Sequence, residues 1–98
     1  MKGFKITPKA YQGLLEIGRY TKSRWGKNKR DEYLKLLDQR FHWLVENPQL
    51  GKVRSDIDDN LYSYREGSHV IFYSIHNDYV VIVGLPHKAM DVIQYFDH

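Results

Sequence analysis

The sequence predicts an α+β fold in which a helical hairpin covers one face of a small antiparallel β-sheet. Two long stretches in the first half carry apolar residues at spacings of three and four, which is typical of amphipathic helices. Three short stretches in the second half are rich in β-branched and aromatic residues, which favour strands. With a short strand near the amino terminus, the predicted order of elements is β-α-α-β-β-β.

The first strand and the first helix are predicted between Phe4 and Gly26. Residues 4–7 alternate apolar and polar side chains, which predicts a short strand. Thr7 and Pro8 mark a helix start, because threonine is a good N-cap and proline fits the first helical turn. The helix is predicted over residues 8–24, with Gly26 ending it. Its predicted apolar positions are Tyr11, Leu14, Leu15, Ile17 and Gly18, with Trp25 as a later anchor.

The second helix is predicted to start after Asn28 as its cap and to stop at Pro48 and Gly51. Its apolar face is formed by Tyr33, Leu34, Leu37, Phe41, Leu44 and Val45. The connection between the helices is only the short turn from Trp25 to Asn28, so the two helices must form an antiparallel hairpin.

Residues 61–65, 69–75 and 79–83 predict three consecutive antiparallel strands. The last two strands are joined through Asn77 and Asp78, a pair that suits a type I′ turn. Both strands are apolar at nearly every position, which predicts cover on both faces, or on one face by the protein and on the other by a partner. Pro86 lacks an N–H group, so the last strand should end or bulge there. Residues 51–60 are predicted as a loop, and the tail from Lys88 onward as either a short helix or an extended segment.

The composition indicates one domain, residues 1–98, with no disulfide or thiolate metal site, because the chain has no cysteine. No apolar run approaches the ~20 residues of a membrane span, and the start lacks a signal-peptide core, so we expect a cytoplasmic protein that does not engage membranes. A net charge of +3 permits an acidic partner without indicating sequence-specific binding of nucleic acid. We expect no cofactor, because there is no glycine-rich phosphate loop.

Two clusters of charge have alternative interpretations. Asp56, Asp58 and Asp59 lie in the predicted loop, but their surroundings lack the glycine and glutamate of a calcium loop, so we favour a solvated loop with no metal. Six basic residues without an intervening acid occupy positions 19–30: Arg19, Lys22, Arg24, Lys27, Lys29 and Arg30. A solvated face is the favoured interpretation of this run, and a partner that carries acidic groups is the alternative.

Histidines at two strand ends are the candidates for acid–base chemistry. His69 and His87 lie on neighbouring predicted elements and could approach each other, either as a general acid–base pair or as polar caps of a sheet edge. From Glu66 through His87 there is no lysine or arginine. Cleavage of RNA needs cations that stabilise the growing negative charge, so this absence argues against a ribonuclease and for a protein that acts by binding.

Four groups of residues, taken in order, resemble a known family. They are Arg24-Trp25-Gly26, Glu46-Asn47-Pro48 with Gly51, Gly67 to Tyr73, and His87 to Asp91. Together they resemble the ParE toxins of bacterial type II toxin–antitoxin modules, and the resemblance covers nearly the whole chain. It implies the RelE/ParE toxin fold, neutralisation by a ParD-like antitoxin, and poisoning of DNA gyrase, through its DNA-cleaving subunit, by binding rather than catalysis.

Two alternatives to this function remain open. The RelE branch of the same fold cuts messenger RNA on the ribosome, and here such an activity would use His69, Tyr73 and His87. A toxin that has lost activity and serves only as an antitoxin partner is the other. On the main interpretation there are no catalytic residues. The expected antitoxin-binding residues are Leu14, Ile17, Tyr73 and Val81. The expected target-binding residues are Arg65, His87, Lys88 and Met90.

Overall fold

A computed structural model describes residues 3–97 as two long helices packed on a five-stranded sheet. The predicted order of the main elements is confirmed. In chain order the elements are β1 (Phe4–Ile6), α1 (Pro8–Trp25), α2 (Lys27–Glu46), a 3₁₀ turn (Pro48–Leu50), β2 (Lys52–Val53), β3 (Leu61–Glu66), β4 (His69–Ile75), β5 (Val80–Gly84) and α3 (Val92–Phe96).

Helices α1 and α2 start and stop at positions that follow from local chemistry. The Thr7 hydroxyl oxygen accepts the N–H of Ala10 at 3.1 Å, which confirms the predicted cap. Gly26 separates the helices with a φ of 93°, a conformation that glycine adopts without strain. Because Gly26 serves both helices, α2 begins at Lys27 and not after an Asn28 cap. No helix within residues 3–97 is long and apolar enough to cross a membrane.

The sheet has the strand order β1-β5-β4-β3-β2. Strands β3, β4 and β5 form the predicted antiparallel meander, but β1 pairs parallel to β5, with Phe4 opposite Val80. The prediction of a wholly antiparallel sheet is therefore wrong for β1. The side-chain pattern of a three-residue strand does not indicate whether the strand pairs parallel or antiparallel. That depends on which edge of the sheet is free to accept it. Helix α1 begins directly after β1. Thr7, between the two elements, donates its N–H to the carbonyl of Ile82 in β5 at 3.0 Å.

Two connections in the sheet differ from their predicted form. Neither Asn77 nor Asp78 has a positive φ, so the β4–β5 turn is not type I′. Strand β5 starts at Val80, one residue late, and the longer connection of residues 76–79 does not need that turn. The predicted loop of residues 51–60 contains β2, in which Lys52 lies opposite Ser63. Backbone pairing at a sheet edge leaves little trace in the side-chain pattern.

One face of the sheet is covered by α1 and α2, and the other is covered in part by α3. The face toward α1 and α2 carries Ile71, Tyr73, Val80 and Ile82, all fully buried in the main core. The opposite face carries Phe72, whose ring meets that of Phe96 in α3 at 5.1 Å. The tail therefore folds as a short helix, one of its two predicted forms, and it covers the second face around Phe72.

Candidate functional site

The segment from Leu85 to Asp91, here termed the C-terminal strap, continues the line of β5 along the start of β4. Strand β5 ends at Gly84 after a register shift, as Pro86 predicts. The Pro86 carbonyl oxygen accepts the N–H of Val70 at 2.9 Å, and the N–H of Lys88 donates to the carbonyl of Ser68 at 2.8 Å. These bonds place the strap at one end of the sheet.

Side chains of α2, β4 and the strap meet in a cluster beneath the helical hairpin. The Tyr33 hydroxyl lies 2.7 Å from Nδ1 of His69 and accepts the N–H of Ser68 at 3.2 Å. The ring of His87 packs against that of His69 with centroids 5.5 Å apart, so the predicted approach of the two histidines is confirmed. Burial, helped by the nearby His87, lowers the pKa of His69 to about 4.

The protonation states of the side chains in this cluster suit a structural role better than a catalytic one. With a pKa of about 4, His69 is neutral near pH 7 and is a weak base. Burial raises the pKa of Tyr33, so its hydroxyl stays protonated. The stretch from Glu66 through His87 contributes no lysine or arginine, and the cations near His69 are Lys9 and Lys29, which line the adjacent cavities from α1 and α2. The cluster ties the strap to both the sheet and α2.

Tyr73 is not part of this cluster, although the ribonuclease alternative requires it beside the histidines. Along β4 it lies four residues from His69, or about 13 Å. Its hydroxyl donates to the Pro48 carbonyl at 2.7 Å and accepts the N–H of Gly51 at 3.0 Å. The tyrosine that meets the histidines is Tyr33, which the sequence presented only as a helix core position.

The four expected target-binding residues lie on one end of the molecule and are exposed. Arg65 lies opposite Val70 in the β3–β4 pair, and Val70 bonds the strap, so Arg65 and the strap are two strand spacings apart, or about 10 Å. His87, Lys88 and Met90 all belong to the strap. Arg65 shares the sheet face of Val70, on the side away from α1 and α2, whereas His87 lies with His69 on the helix side. The four positions therefore share one end of the molecule but not one surface.

The expected antitoxin-binding residues are not on one surface. Tyr73 is fully buried and Ile17 is 6% exposed, so neither offers contact area, and both predictions need correction. Apolar positions on α1 and β4 point into the main core because two helices and a sheet need that surface for folding. Val81 is half-buried on the sheet face away from α1 and α2, and only Leu14 borders an open groove.

A groove runs along the outer seam between α1 and α2, and we term it the outer groove. It comprises two adjoining cavities of about 210 and 410 Å³ that share three leucines as their floor: Leu14, Leu15 and Leu34. Leu15 is 40% exposed and Tyr11 56% exposed. The predicted apolar stripe of α1 therefore divides: Ile17 and Gly18 are buried, Tyr11 and Leu15 are exposed, and Leu14 lies between the core and the groove. The apolar positions of α1 span more of the helix circumference than one core-facing side requires. This width was the feature of the sequence that could have indicated a second, exposed apolar surface.

The tip of the helical hairpin, residues 19–30 or the basic tip, extends beyond the sheet. Trp25 is 66% exposed there, so its predicted role as an apolar anchor is wrong. Lys29 pairs with Glu32 at 3.4 Å and Arg30 with Asp31 at 3.0 Å. Four cations of the tip have no ion pair among the residues that the structure describes: Arg19, Lys22, Arg24 and Lys27.

The acidic loop shows local pairing rather than a metal site. Both carboxylate oxygens of Asp56 lie 3.2 Å from Arg54, which holds the pKa of Asp56 below its usual value. Within residues 3–97 no group of three or more histidines or carboxylates is arranged to hold a metal ion.

Comparison with known families decides the relationship of this chain. The sequence model of the ParE toxin of the type II toxin–antitoxin system, parDE, matches residues 4–92. The chain belongs to the ParE toxin family. The match spans every element from β1 to the start of α3, which includes both the helical hairpin and the strap.

Individual relatives agree with the family assignment. Toxin ParE1 of Mycobacterium tuberculosis is 29% identical to this chain over 91% of its length and 92% of the relative. Toxin ParE1 of Caulobacter vibrioides is 26% identical over 93% and 94%. A chain in a solved chromosomal ParDE toxin–antitoxin system from P. aeruginosa has the same fold, with a TM-score of 0.74 at 15% identity and coverage of 89% and 96%.

Proposed function

We propose that this ParE-family toxin acts in the cytoplasm by binding DNA gyrase, and that a ParD-like antitoxin neutralises it. Membership of the ParE toxin family of parDE systems supports this proposal. The observation that carries it beyond family membership is the exposed end of the sheet, which carries the strap and Arg65. That end presents cationic and apolar groups that are not needed for the core.

Binding rather than catalysis is the mode of action that the geometry supports best. A ribonuclease would need an acid, a base and cations around one phosphate. Here His69 is neutral near pH 7 and is bonded to a protonated tyrosine. The third residue of that alternative, Tyr73, is committed to two backbone groups of the core.

The outer groove is the surface we propose for the antitoxin. Its apolar floor of leucines suits the apolar face of an amphipathic helix. One end of the groove is bordered by Arg19, Lys22 and the ion pair of Arg30 with Asp31, so this end has a net positive charge. The antitoxin segment should therefore place acidic residues at that end, and this arrangement gives the partner a defined direction along the seam.

The target is tested with purified toxin in gyrase supercoiling and DNA cleavage assays, beside a ribosome-dependent RNA cleavage assay. We expect gyrase inhibition with intact messenger RNA. The double variant Arg65→Glu and Lys88→Glu should weaken inhibition tenfold or more, while Lys5→Glu with Lys52→Glu, which changes net charge equally elsewhere, should not. Cleaved RNA with normal gyrase would contradict the proposed target and make His69 and His87 the first residues to replace.

The antitoxin surface is tested by replacing a groove leucine. Leu15→Asp should weaken antitoxin binding by tenfold or more, because loss of one buried leucine removes about 1.5–3 kcal/mol. Leu50→Asp is the matched control, since Leu50 is 61% exposed and lies outside the groove. Equal losses in both variants, measured by isothermal titration calorimetry, would place the antitoxin elsewhere.

A further inference from the structure

Most of the cations in the basic tip form no ion pair with the rest of the described structure. Between Arg19 and Arg30 there are six cations and no acid, and of these only Lys29 and Arg30 form an ion pair with a residue that the structure describes. Clustered cations at the start of α2 are unfavourable, because the amino-terminal end of a helix is itself positive. The tip therefore bears an electrostatic cost that a polyanionic partner would relieve.

A cavity with aromatic residues in its lining lies at the tip, and we term it the tip cavity. Its volume is about 370 Å³, and it sits under the overhanging end of the hairpin. Of the six cations Lys29 lines it, and the guanidinium of Arg24 lies 5.9 Å from the ring of Trp25. The large apolar residues of the cavity lining are Trp25, Tyr33 and Leu36, and Trp25 is 66% exposed. Lys29 and Glu32 lie at its edge as an ion pair, so this edge is close to neutral. An exposed tryptophan beside a cavity is not explained by the core.

We propose that the basic tip binds single-stranded DNA, with phosphates near Arg24 and Lys27 and a base stacked on Trp25 in the tip cavity. Cations that follow a phosphate backbone, joined to aromatic side chains on which bases stack, are what single-strand binding requires. An acidic peptide would use the cations and leave Trp25 without a role. A duplex keeps its bases stacked on each other and could not fill the cavity.

The choice of DNA over RNA rests on the proposed function, because gyrase is an enzyme that opens DNA. The phosphate contacts and the stacked base do not depend on gyrase. A binding measurement without gyrase therefore tests the inference alone, and the supercoiling assay tests the proposed function alone.

The binding test uses fluorescence anisotropy of a labelled oligothymidylate with the purified chain at low salt. Phosphate contacts with Arg24 and Lys27 predict that log K falls with log salt concentration with a slope of about −1.4, at about −0.7 for each phosphate neutralised. The double variant Arg24→Glu and Lys27→Glu should abolish this slope. Lys5→Glu with Lys52→Glu alters net charge equally outside the tip and should leave the slope unchanged.

The stacking test uses Trp25 itself. A base on its ring should quench tryptophan fluorescence, and Trp43, which is half-buried against Tyr64, supplies a constant background. Trp25→Ala should remove the quenching and weaken binding about fivefold or more, and Trp25→Phe should restore much of the affinity. Because Trp25 is largely exposed, neither change should lower the melting temperature appreciably.

Several results would overturn the inference. They are absence of binding at low salt, equal losses in the tip and control charge variants, binding indifferent to Trp25, and tighter binding to duplex or to RNA of the same sequence. Loss of DNA binding together with retained gyrase inhibition in the Arg24→Glu and Lys27→Glu variant would show that the tip is not needed for inhibition, while the DNA site itself would stand.

Discussion

Acidification is expected to destabilise this protein through His69. Folding lowers the pKa of His69 from an ordinary value of 6.5 to about 4, so the unfolded chain binds a proton more readily than the folded chain between these values. The stabilising effect of the neutral ring is present in full above pH 6.5 and is lost as the pH falls toward 4. The Tyr33 hydroxyl and the His87 ring are the side chains that surround it.

The size of this effect follows from the shift and the burial. A difference of 6.5 to about 4 sets a ceiling of about 3 kcal/mol at 1.36 kcal/mol for each pKa unit. The ring of His69 is only half-buried, so solvent screening reduces the expected loss to about 1–2 kcal/mol. For a domain of this length, that corresponds to a fall in melting temperature of about 4–16 °C.

The assay is urea unfolding of the wild type and of His69→Gln at several pH values between 7 and 4. The variant should have lower stability at pH 7 but a flatter dependence on pH. His42→Gln is the matched control, since His42 is exposed on α2. The pKa of Asp56 is lowered by Arg54, so protonation of Asp56 affects stability only at a pH below the range in which His69 titrates. An equally steep loss in His69→Gln would refute the assignment of the acid sensitivity to His69.

Two further predictions concern the core. Tyr73→Phe should lower the free energy of unfolding by about 2–3 kcal/mol, because the Pro48 carbonyl and the Gly51 N–H both lose their partner, and urea unfolding beside the exposed control Tyr20→Phe checks it. Gly84→Ala should destabilise by about 1–3 kcal/mol, because a Cβ there would lie 2.7 Å from the Tyr95 ring. Thermal melts should show that loss, and an unchanged melting temperature would contradict the packing of α3 on β5.

The elements that the sequence predicted well are those with strong local chemistry. Thr7 and Pro8 specify the start of α1, and Gly26 specifies the turn between the helices, so both were found within a few residues. Pro86 also ended β5 as expected, since a missing N–H acts wherever the residue lies. Such signals need no knowledge of distant parts of the chain.

Features that depend on contacts between distant parts of the chain could not be predicted from the sequence. The parallel pairing of β1 follows from which edge of the sheet is free, and three residues cannot show it. For the candidate site, apolarity could not separate Ile17, which is buried by the sheet, from Leu15, which is open to a partner. The prediction that Trp25 is an apolar anchor failed for the same reason. The tip of the helical hairpin extends beyond the sheet, so the ring of Trp25 is left exposed.

The pairing of β1 with β5 also determines when the toxin can first exist as a folded protein. Phe4 pairs with Val80, so the first strand to emerge during synthesis has no neighbour until 76 further residues have been added. At 5–20 residues per second, that interval is about 4–15 s. Until then α1 and α2 lack most of the sheet on which they pack, and the apolar surface of the nascent helices stays open. A ribosome that is still translating this chain therefore displays no finished toxin.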